Sequence, residues 1–208
     1  MITPSSLPIL AFPTRAAWDG WLSDQGATSS GVWIKFAKKG SGRATLSKAE
    51  AIEVALAYGW VDGQLGRFDD QFWLVRFTRR GPRSRWSQVN REIAKRLLAE
   101  GRLAPAGRAA VEAAQRDGRW EAAYAPQSRA EIPDDLRAAL DANSEAAGFF
   151  ADLTGADRYA VIYRVNDART AKTRAERIAT FVGMLARGEA PHASRRRDTG
   201  GTRADRQT

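Results

Sequence analysis

The middle of the chain decides how the rest is organised: residues 58–90 read YGWVDGQLGRFDDQFWLVRFTRRGPRSRWSQVN. Gly59 is placed to end a preceding helix, and residues 72–78 are apolar, aromatic and β-branched, which predicts a strand. Residues 60–62 predict a shorter strand. The connection between the two strands, which predicts a hairpin, contains Gly63, Gly66, Asp69 and Asp70.

Upstream of this segment the pattern alternates between helix and strand. Ser47 followed by Glu50 is a capping-box pattern and predicts the start of the helix that Gly59 ends. Residues 32–36 predict another strand, and Thr14 predicts the start of a first helix that carries Trp18 and Trp21. Residues 1–13 contain three prolines and predict extended chain.

Downstream of the segment the pattern is helical. Ser87 or Ser84 predicts the start of a third helix that ends at Gly101, and Pro105 predicts the first turn of a fourth that ends near Gly118. Four more helices are predicted after a linker at residues 125–131. One opens at Pro133, one opens at Asn143 or Ser144, one contains Tyr159, Ile162, Tyr163 and Val165, and the last begins at Thr170.

These elements predict an α+β fold: a small, mainly antiparallel sheet of three or four strands, flanked by helices and followed by a helical C-terminal segment. The predicted boundaries are 1–125 for the α+β part and 126–188 for the helical part. Residues 189–208 are almost free of apolar side chains and predict a disordered basic tail.

Composition argues against several classes of function. The chain has no cysteine, which excludes disulfides and thiolate chemistry, and its single histidine, His192, lies in the polar tail. Histidine-based zinc sites and Ser-His-Asp catalysis are therefore not expected, and we predict no cofactor and no metal, although a carboxylate site for a hard cation stays open. No apolar run is long enough to span a bilayer, and the N-terminus lacks a signal-peptide pattern, so we expect a cytoplasmic protein without a membrane partner.

The positive charge is concentrated in one part of the chain. The net charge is +9, and residues 76–108 contain ten basic and two acidic side chains. Residues 191–208 contain five arginines and two aspartates, so the rest of the chain is close to neutral. A local basic run predicts an anionic partner, either a small molecule or a nucleic acid.

The chain contains a series of short motifs in this order: Trp18 with Trp21, 59–62, 69–70, 77–80, 84–90, 101–107 and 173–178. The order and spacing of these motifs resemble the YdeI/OmpD-associated family, whose members are often labelled bacteriocin-protection proteins. The likeness covers roughly residues 14–188 and departs from the family pattern at Arg79, where proline is common, and at Leu103, where methionine is common. It implies an α+β N-terminal part, a helical C-terminal part and a stress or bacteriocin-resistance association, but no established reaction.

We predict that an anionic small molecule binds between the 60–62 element, the arginine-rich loop and the helix that begins at Ser87. The arginines suit phosphate and carboxylate, but a solvated loop has the same composition. The tryptophans are either pocket walls or core, and Trp73 is expected in the core. The predicted ligand-binding residues are Lys38, Trp60, Asp62, Arg79, Arg80, Arg83, Ser84, Trp86, Ser87 and Asn90.

Two alternatives to this function stay open at this stage. The loop from Arg79 to Arg85 and the basic tail would also suit nucleic acid. Asp62, or the pair Asp69–Asp70, would suit acid–base catalysis, whereas turn formation or the orientation of an arginine by Asp62 explains them equally. Arg174 and Arg177 predict intramolecular ion pairs. The oligomeric state is not predicted.

Overall fold

The computed structural model describes residues 7–191 and contains two compact units that divide between Pro126 and Gln127. The first unit contains β1 (Ile9–Leu10), α1 (Arg15–Gln25), β2 (Val32–Ala37), α2 (Lys48–Ala57), β3 (Trp60–Arg67), β4 (Phe72–Arg79), α3 (Gln88–Ala99) and α4 (Pro105–Arg116). The second contains a 3₁₀ turn (Gln127–Arg129), α5 (Asp134–Asp141), α6 (Ser144–Asp152), α7 (Gly155–Asn166) and α8 (Ala171–Ala186). The predicted α+β class with a helical C-terminal segment is confirmed.

The sheet has four strands in the order β1-β2-β4-β3. β1 runs parallel to β2, and the other two pairings are antiparallel. The predicted short strand at residues 60–62 is wrong in length, because β3 continues to Arg67. The pairing register shifts between Asp62 and Leu65, so Gly63 marks a bulge within the strand and not the hairpin connection.

Five of the predicted helix starts are confirmed by a side-chain cap. Ser47 and Glu50 form both hydrogen bonds of a capping box at α2, and Ser87, not Ser84, caps α3. A side-chain oxygen at each of five positions accepts a hydrogen bond from the backbone N–H three residues later: Thr14, Ser47, Ser87, Asn143 and Thr170.

The core of the first unit explains where its tryptophans lie. The rings of Trp18, Trp60 and Phe77 are fully buried between the sheet and the first two helices. The indole nitrogen of Trp60 donates to the carbonyl of Gly26 at 3.3 Å. Trp73 is only half-buried at the edge of this core. A second cluster joins α2, α3 and α4 around Trp86, Leu97, Val111 and Trp120.

The backbones of α2 and α4 approach each other at two glycines. Gly59 has φ of 73°, a left-handed conformation that favours glycine. A Cβ on Gly107 would lie 2.1 Å from the carbonyl oxygen of Ala57. That oxygen also accepts a hydrogen bond from the N–H of Ala104 at 2.9 Å. Side chains are therefore excluded where α4 begins against the end of α2.

The second unit buries one apolar cluster built from all four of its helices. The predicted ion pairs are confirmed: Arg174 pairs with Asp135, and Arg177 lies 3.5 Å from Asp167. Within residues 7–191, no helix is both long and apolar enough to cross a membrane. His192 and the rest of the predicted basic tail lie outside the described residues, apart from positions 189–191.

Candidate functional site

Arg80 lies immediately after β4 and is held in one position by its neighbours. Its backbone N–H donates to the carbonyl of Gly59 at 2.9 Å. Its guanidinium carbon lies 3.7 Å from the ring centroid of Trp86, a cation–π contact, and its Nη1 donates to the carbonyl of Arg85 at 3.0 Å. The strand end, the loop and the indole together fix the plane of the guanidinium.

Burial changes the electrostatics of this guanidinium without removing its charge. Desolvation lowers the pKa of Arg80 to about 10, a direction that Arg119 reinforces and that Tyr124 and Asp62 oppose. A group with that pKa is still protonated at neutral pH. No carboxylate of the described residues forms an ion pair with Arg80, so a partly desolvated positive charge remains uncompensated by direct contact.

Three buried N–H donors lie at this contact without a hydrogen-bond partner among the described residues. They are Nε and Nη2 of Arg80 and Nε1 of Trp86. Buried polar groups in proteins are nearly always paired, so an unpaired set calls for a physical explanation such as an ion or water. The three donors belong to two side chains that are in direct contact.

Three other arginines of the chain bind a carboxylate through the edge of the guanidinium that carries Nε and Nη2. Arg119 directs it to Asp117 at 2.9 and 2.7 Å, and Arg187 directs it to Glu189 at 3.0 Å for both bonds. Arg174 uses the same edge toward Asp135. This edge therefore receives a carboxylate in three places, in the side-on fork geometry that also fits phosphate.

Two residues that the sequence interpretation missed complete the site. Arg119 Nη1 donates to the carbonyl of Ser84 at 2.8 Å, and the N–H of Tyr124 donates to the carbonyl of Trp86 at 3.0 Å. Both residues follow Gly118, which in the sequence predicted only the end of a helix. The Arg-Trp pair directly after that glycine is the sequence signal that could have indicated further residues of the site. We call Arg80, Ser84, Trp86, Arg119 and Tyr124 the arginine–tryptophan cluster.

Four other predicted residues lie near the cluster but are occupied by structural contacts or exposed. Arg79 is exposed and donates to the carbonyl of Ala27 at 2.8 Å, and Arg83 is exposed. Ser87 accepts from the N–H of Asn90 at 3.1 Å, the cap of α3. Those two residues position Trp86 at the start of the helix, which is a supporting role.

Trp60 and the predicted aspartates do not line a ligand site with these residues. Trp60 is 1% exposed and belongs to the core. Asp62 lies 3.4 Å from Nζ of Lys48, and its charge also acts on Arg80. Asp69 and Asp70 are exposed, and Asp69 Oδ1 accepts the N–H groups of the next turn, as turn chemistry predicts. Within the described residues no cluster of acidic or histidine side chains suits a metal ion.

Lys38 lies in a different place, in a cleft of about 480 Å³ between β2 and the start of α2. Its Nζ donates to the carbonyl of Asp69 at 2.7 Å. We call this cavity the lysine cleft. Its lining residues are Phe36, Ala37, Lys38, Lys39, Gly40, Gly42, Arg43, Ala44, Thr45, Leu46, Ser47, Lys48 and Trp73.

Comparison with known families divides the chain in two. Residues 10–110 match the model of a domain of unknown function, DUF8412. Residues 129–188 match the model described as bacteriocin-protection, YdeI or OmpD-associated, which confirms the resemblance found in the sequence for that segment. No curated protein matches the chain. No solved structure matches it either.

Proposed function

We propose that the unit preceding residues 129–188, the segment that matches the bacteriocin-protection, YdeI or OmpD-associated family model, binds an anionic small molecule at the arginine–tryptophan cluster. The ligand carries a carboxylate or phosphate group. Nε and Nη2 of Arg80 donate to two of its oxygens, and Nε1 of Trp86 supplies a third donor.

The observation that supports this function is the unpaired donor set on Arg80 and Trp86. Burying a guanidinium with unpaired N–H groups lowers the free energy of unfolding, and a bound oxyanion would offset that loss through charge-assisted hydrogen bonds. The stacked indole fixes the guanidinium plane before the ligand arrives, which reduces the entropy lost on binding. The same edge already receives carboxylates elsewhere in the chain.

Access to these donors requires movement of the loop that follows Arg80. Gly81, Pro82 and Arg83 are exposed, and the turn is closed by a hydrogen bond from the N–H of Gly81 to Oγ of Ser84 at 3.0 Å. A Cβ on Gly81 would meet only Oγ of Ser84, at 4.0 Å, so little packs against that residue. We therefore expect this loop to open when a ligand binds, and binding at the buried donors should depend only weakly on salt.

Calorimetric titration with inorganic phosphate and with acetate tests the proposal. Arg80→Lys keeps the charge but loses the planar fork, and we expect it to weaken binding by about ten-fold or more. Arg83→Gln is the matched control: it removes a full charge three residues away from an exposed position, and binding should change by less than about two-fold. Far-UV circular dichroism checks that both variants remain folded.

Two results would contradict the proposal. Binding of neither anion to the native chain removes the ligand class. An equal loss for Arg80→Lys and Arg83→Gln would mean that general positive charge, not a fork of fixed geometry, attracts the anion.

Nucleic-acid binding is a second candidate because Arg79, at the end of β4, and Arg83, in the loop that follows, are exposed and pair with no carboxylate of the described residues. A gel-shift assay with mixed DNA and RNA at about 50 mM salt tests it. Nucleic-acid binding should fall steeply with salt and should be weakened by Arg83→Gln, which the small-ligand proposal leaves unaffected. Absence of a shifted band in that assay would remove this candidate.

A further inference from the structure

The lysine cleft is a second concave site, formed where β2 is joined to α2. The joining loop begins with the sequence KKGSGR at residues 38–43, and Gly40 and Gly42 both have left-handed φ, of 82° and 67°. The two glycines allow the loop to turn back over the cleft. A volume of about 480 Å³ lies within the range of small-molecule sites.

The charges that line the cleft are mostly not neutralised. Lys38 donates to a backbone carbonyl, and Arg43 Nε donates to the neutral side chain of Gln71 at 3.1 Å. Lys39 is exposed, and none of these three side chains forms an ion pair with a carboxylate of the described residues. Only Lys48 is paired, with Asp62 at 3.4 Å. Because the lining contains no aspartate or glutamate, the cleft carries a net positive charge.

The helix that begins beside the cleft does not itself supply the anion site. The first turn of α2 already has a carboxylate at its N-terminus, since Glu50 Oε2 accepts the N–H of Ser47 at 2.7 Å. Ser47 Oγ accepts the N–H of Glu50 in return at 3.2 Å. An anion in the cleft must therefore be held by the loop cations and not by the helix end.

The lysine cleft also has an aromatic side chain in its wall. Trp73 is half-buried and borders the cleft, and its ring packs against Phe36 with 5.2 Å between the centroids. Phe36 is itself buried in the core, so it fixes the indole in place. A rigid indole at the side of a cationic cavity suits a ligand with a flat ring, because stacking on tryptophan tolerates many ring types.

We propose that the lysine cleft binds a phosphate monoester that carries a flat ring, a class that includes nucleoside monophosphates. Lys39 and Arg43 hold the phosphate, and Trp73 packs against the ring. The site is separate from the arginine–tryptophan cluster and does not depend on the function proposed for that cluster.

Calorimetric titration with phenyl phosphate, inorganic phosphate and phenol measures the two halves of the ligand separately. We expect phenyl phosphate to bind about five-fold or more tighter than phosphate, and phenol not to bind. The double variant Lys39→Gln/Arg43→Gln should weaken phenyl phosphate by about ten-fold or more. Its matched control is Arg83→Gln/Arg108→Gln, which removes two exposed charges from the same unit outside the cleft.

Several outcomes would overturn the inference. The first is that phenyl phosphate does not bind to the native chain. The second is an equal loss of affinity in the two double variants, which would mean that overall positive charge, and not the cleft, attracts the ligand. Equal affinity for phosphate and phenyl phosphate would remove the ring from the proposal. Arg80→Gln separates the two sites because it removes the guanidinium fork of the arginine–tryptophan cluster. Phenyl phosphate should still bind to the lysine cleft of this variant, and adding Lys39→Gln/Arg43→Gln should weaken that remaining binding by about ten-fold or more. Loss of all phenyl phosphate binding in Arg80→Gln alone would assign the ligand to the arginine–tryptophan cluster.

Discussion

The contact between α2 and α4 makes a sharp prediction about a single methyl group. Gly107 lies in the first turn of α4, and a Cβ there would be 2.1 Å from the carbonyl oxygen of Ala57 and 2.8 Å from its carbonyl carbon. Real Cβ atoms essentially never come within 3.0 Å of another heavy atom. Gly107→Ala therefore forces the two backbones apart by about 1 Å, because neither neighbour is a side chain that can rotate away.

The size of the effect follows from what that movement breaks. The hydrogen bond from Ala104 to Ala57, now 2.9 Å, would lengthen beyond hydrogen-bonding distance. Losing it costs about 1 kcal/mol, and overpacking a buried contact costs about 1–3 kcal/mol more. Alanine recovers about 0.5–1 kcal/mol of helix propensity. We expect a net loss of about 1–3.5 kcal/mol, a substantial part of the roughly 5–15 kcal/mol that stabilises a domain.

Urea unfolding followed by tryptophan fluorescence measures this loss in the correct unit, because all seven tryptophans lie between residues 18 and 120. Gly20→Ala is the matched control: Gly20 is an exposed position within α1, and a Cβ there meets nothing within 4 Å. It should gain about 0.5–1 kcal/mol. If Gly107→Ala proves as stable as Gly20→Ala, the close backbone approach is not a feature of the folded protein.

Two further predictions concern ion pairs, and unfolding at several pH values measures both. Glu53 is only 17% exposed, and its carboxylate pairs with three arginines: Arg15, Arg96 and Arg102. Burial alone would raise the pKa of Glu53, but these arginines lower it below its ordinary value of 4.5. The stabilisation from these ion pairs is therefore complete above that value and is lost as the pH falls below it. Glu53→Gln should lower the free energy of unfolding by about 1–2 kcal/mol at pH 7 and should remove this dependence on acid pH. In the second unit, the hydrogen bond from Arg174 lowers the pKa of Asp135. Asp135→Asn should therefore lower the free energy of unfolding by about 0.5–1 kcal/mol above pH 5. Unfolding followed by far-UV circular dichroism should show this loss, whereas the transition followed by tryptophan fluorescence should not change.

Features encoded by a few adjacent residues were predictable from the sequence, and features made by distant residues were not. The capping box at Ser47 needs only Glu50 three positions later, so both of its residues can be read from a short stretch of sequence. The length of β3 depends on its pairing with β4, and Gly63 and Gly66 are typical of loops when read alone. Only the partner strand shows that they belong to a bulged strand.

The same distinction explains how the candidate site was found only in part. Arg80 and Trp86 are six positions apart, and the sequence interpretation placed both in the ligand site. Arg119 and Tyr124 reach the cluster from beyond α4, and no local spacing links them to Arg80. Trp60 shows the reverse error, since it is close to the site in sequence but buried on the core side of the sheet.

The basic run at residues 76–108 does not form one charged surface, because it spans a strand end, a loop and two helices whose side chains point in different directions. Arg96 and Arg102 meet at Glu53, and Arg91 donates to the carbonyl of Trp120. Net charge therefore overstates what the run has available for a ligand. The informative quantity is the set of donors left unmatched after each arginine has been assigned its contacts. It follows that neutralising a residue in this run should affect ligand binding according to its contacts and not its position: little at Arg96, strongly at Arg80.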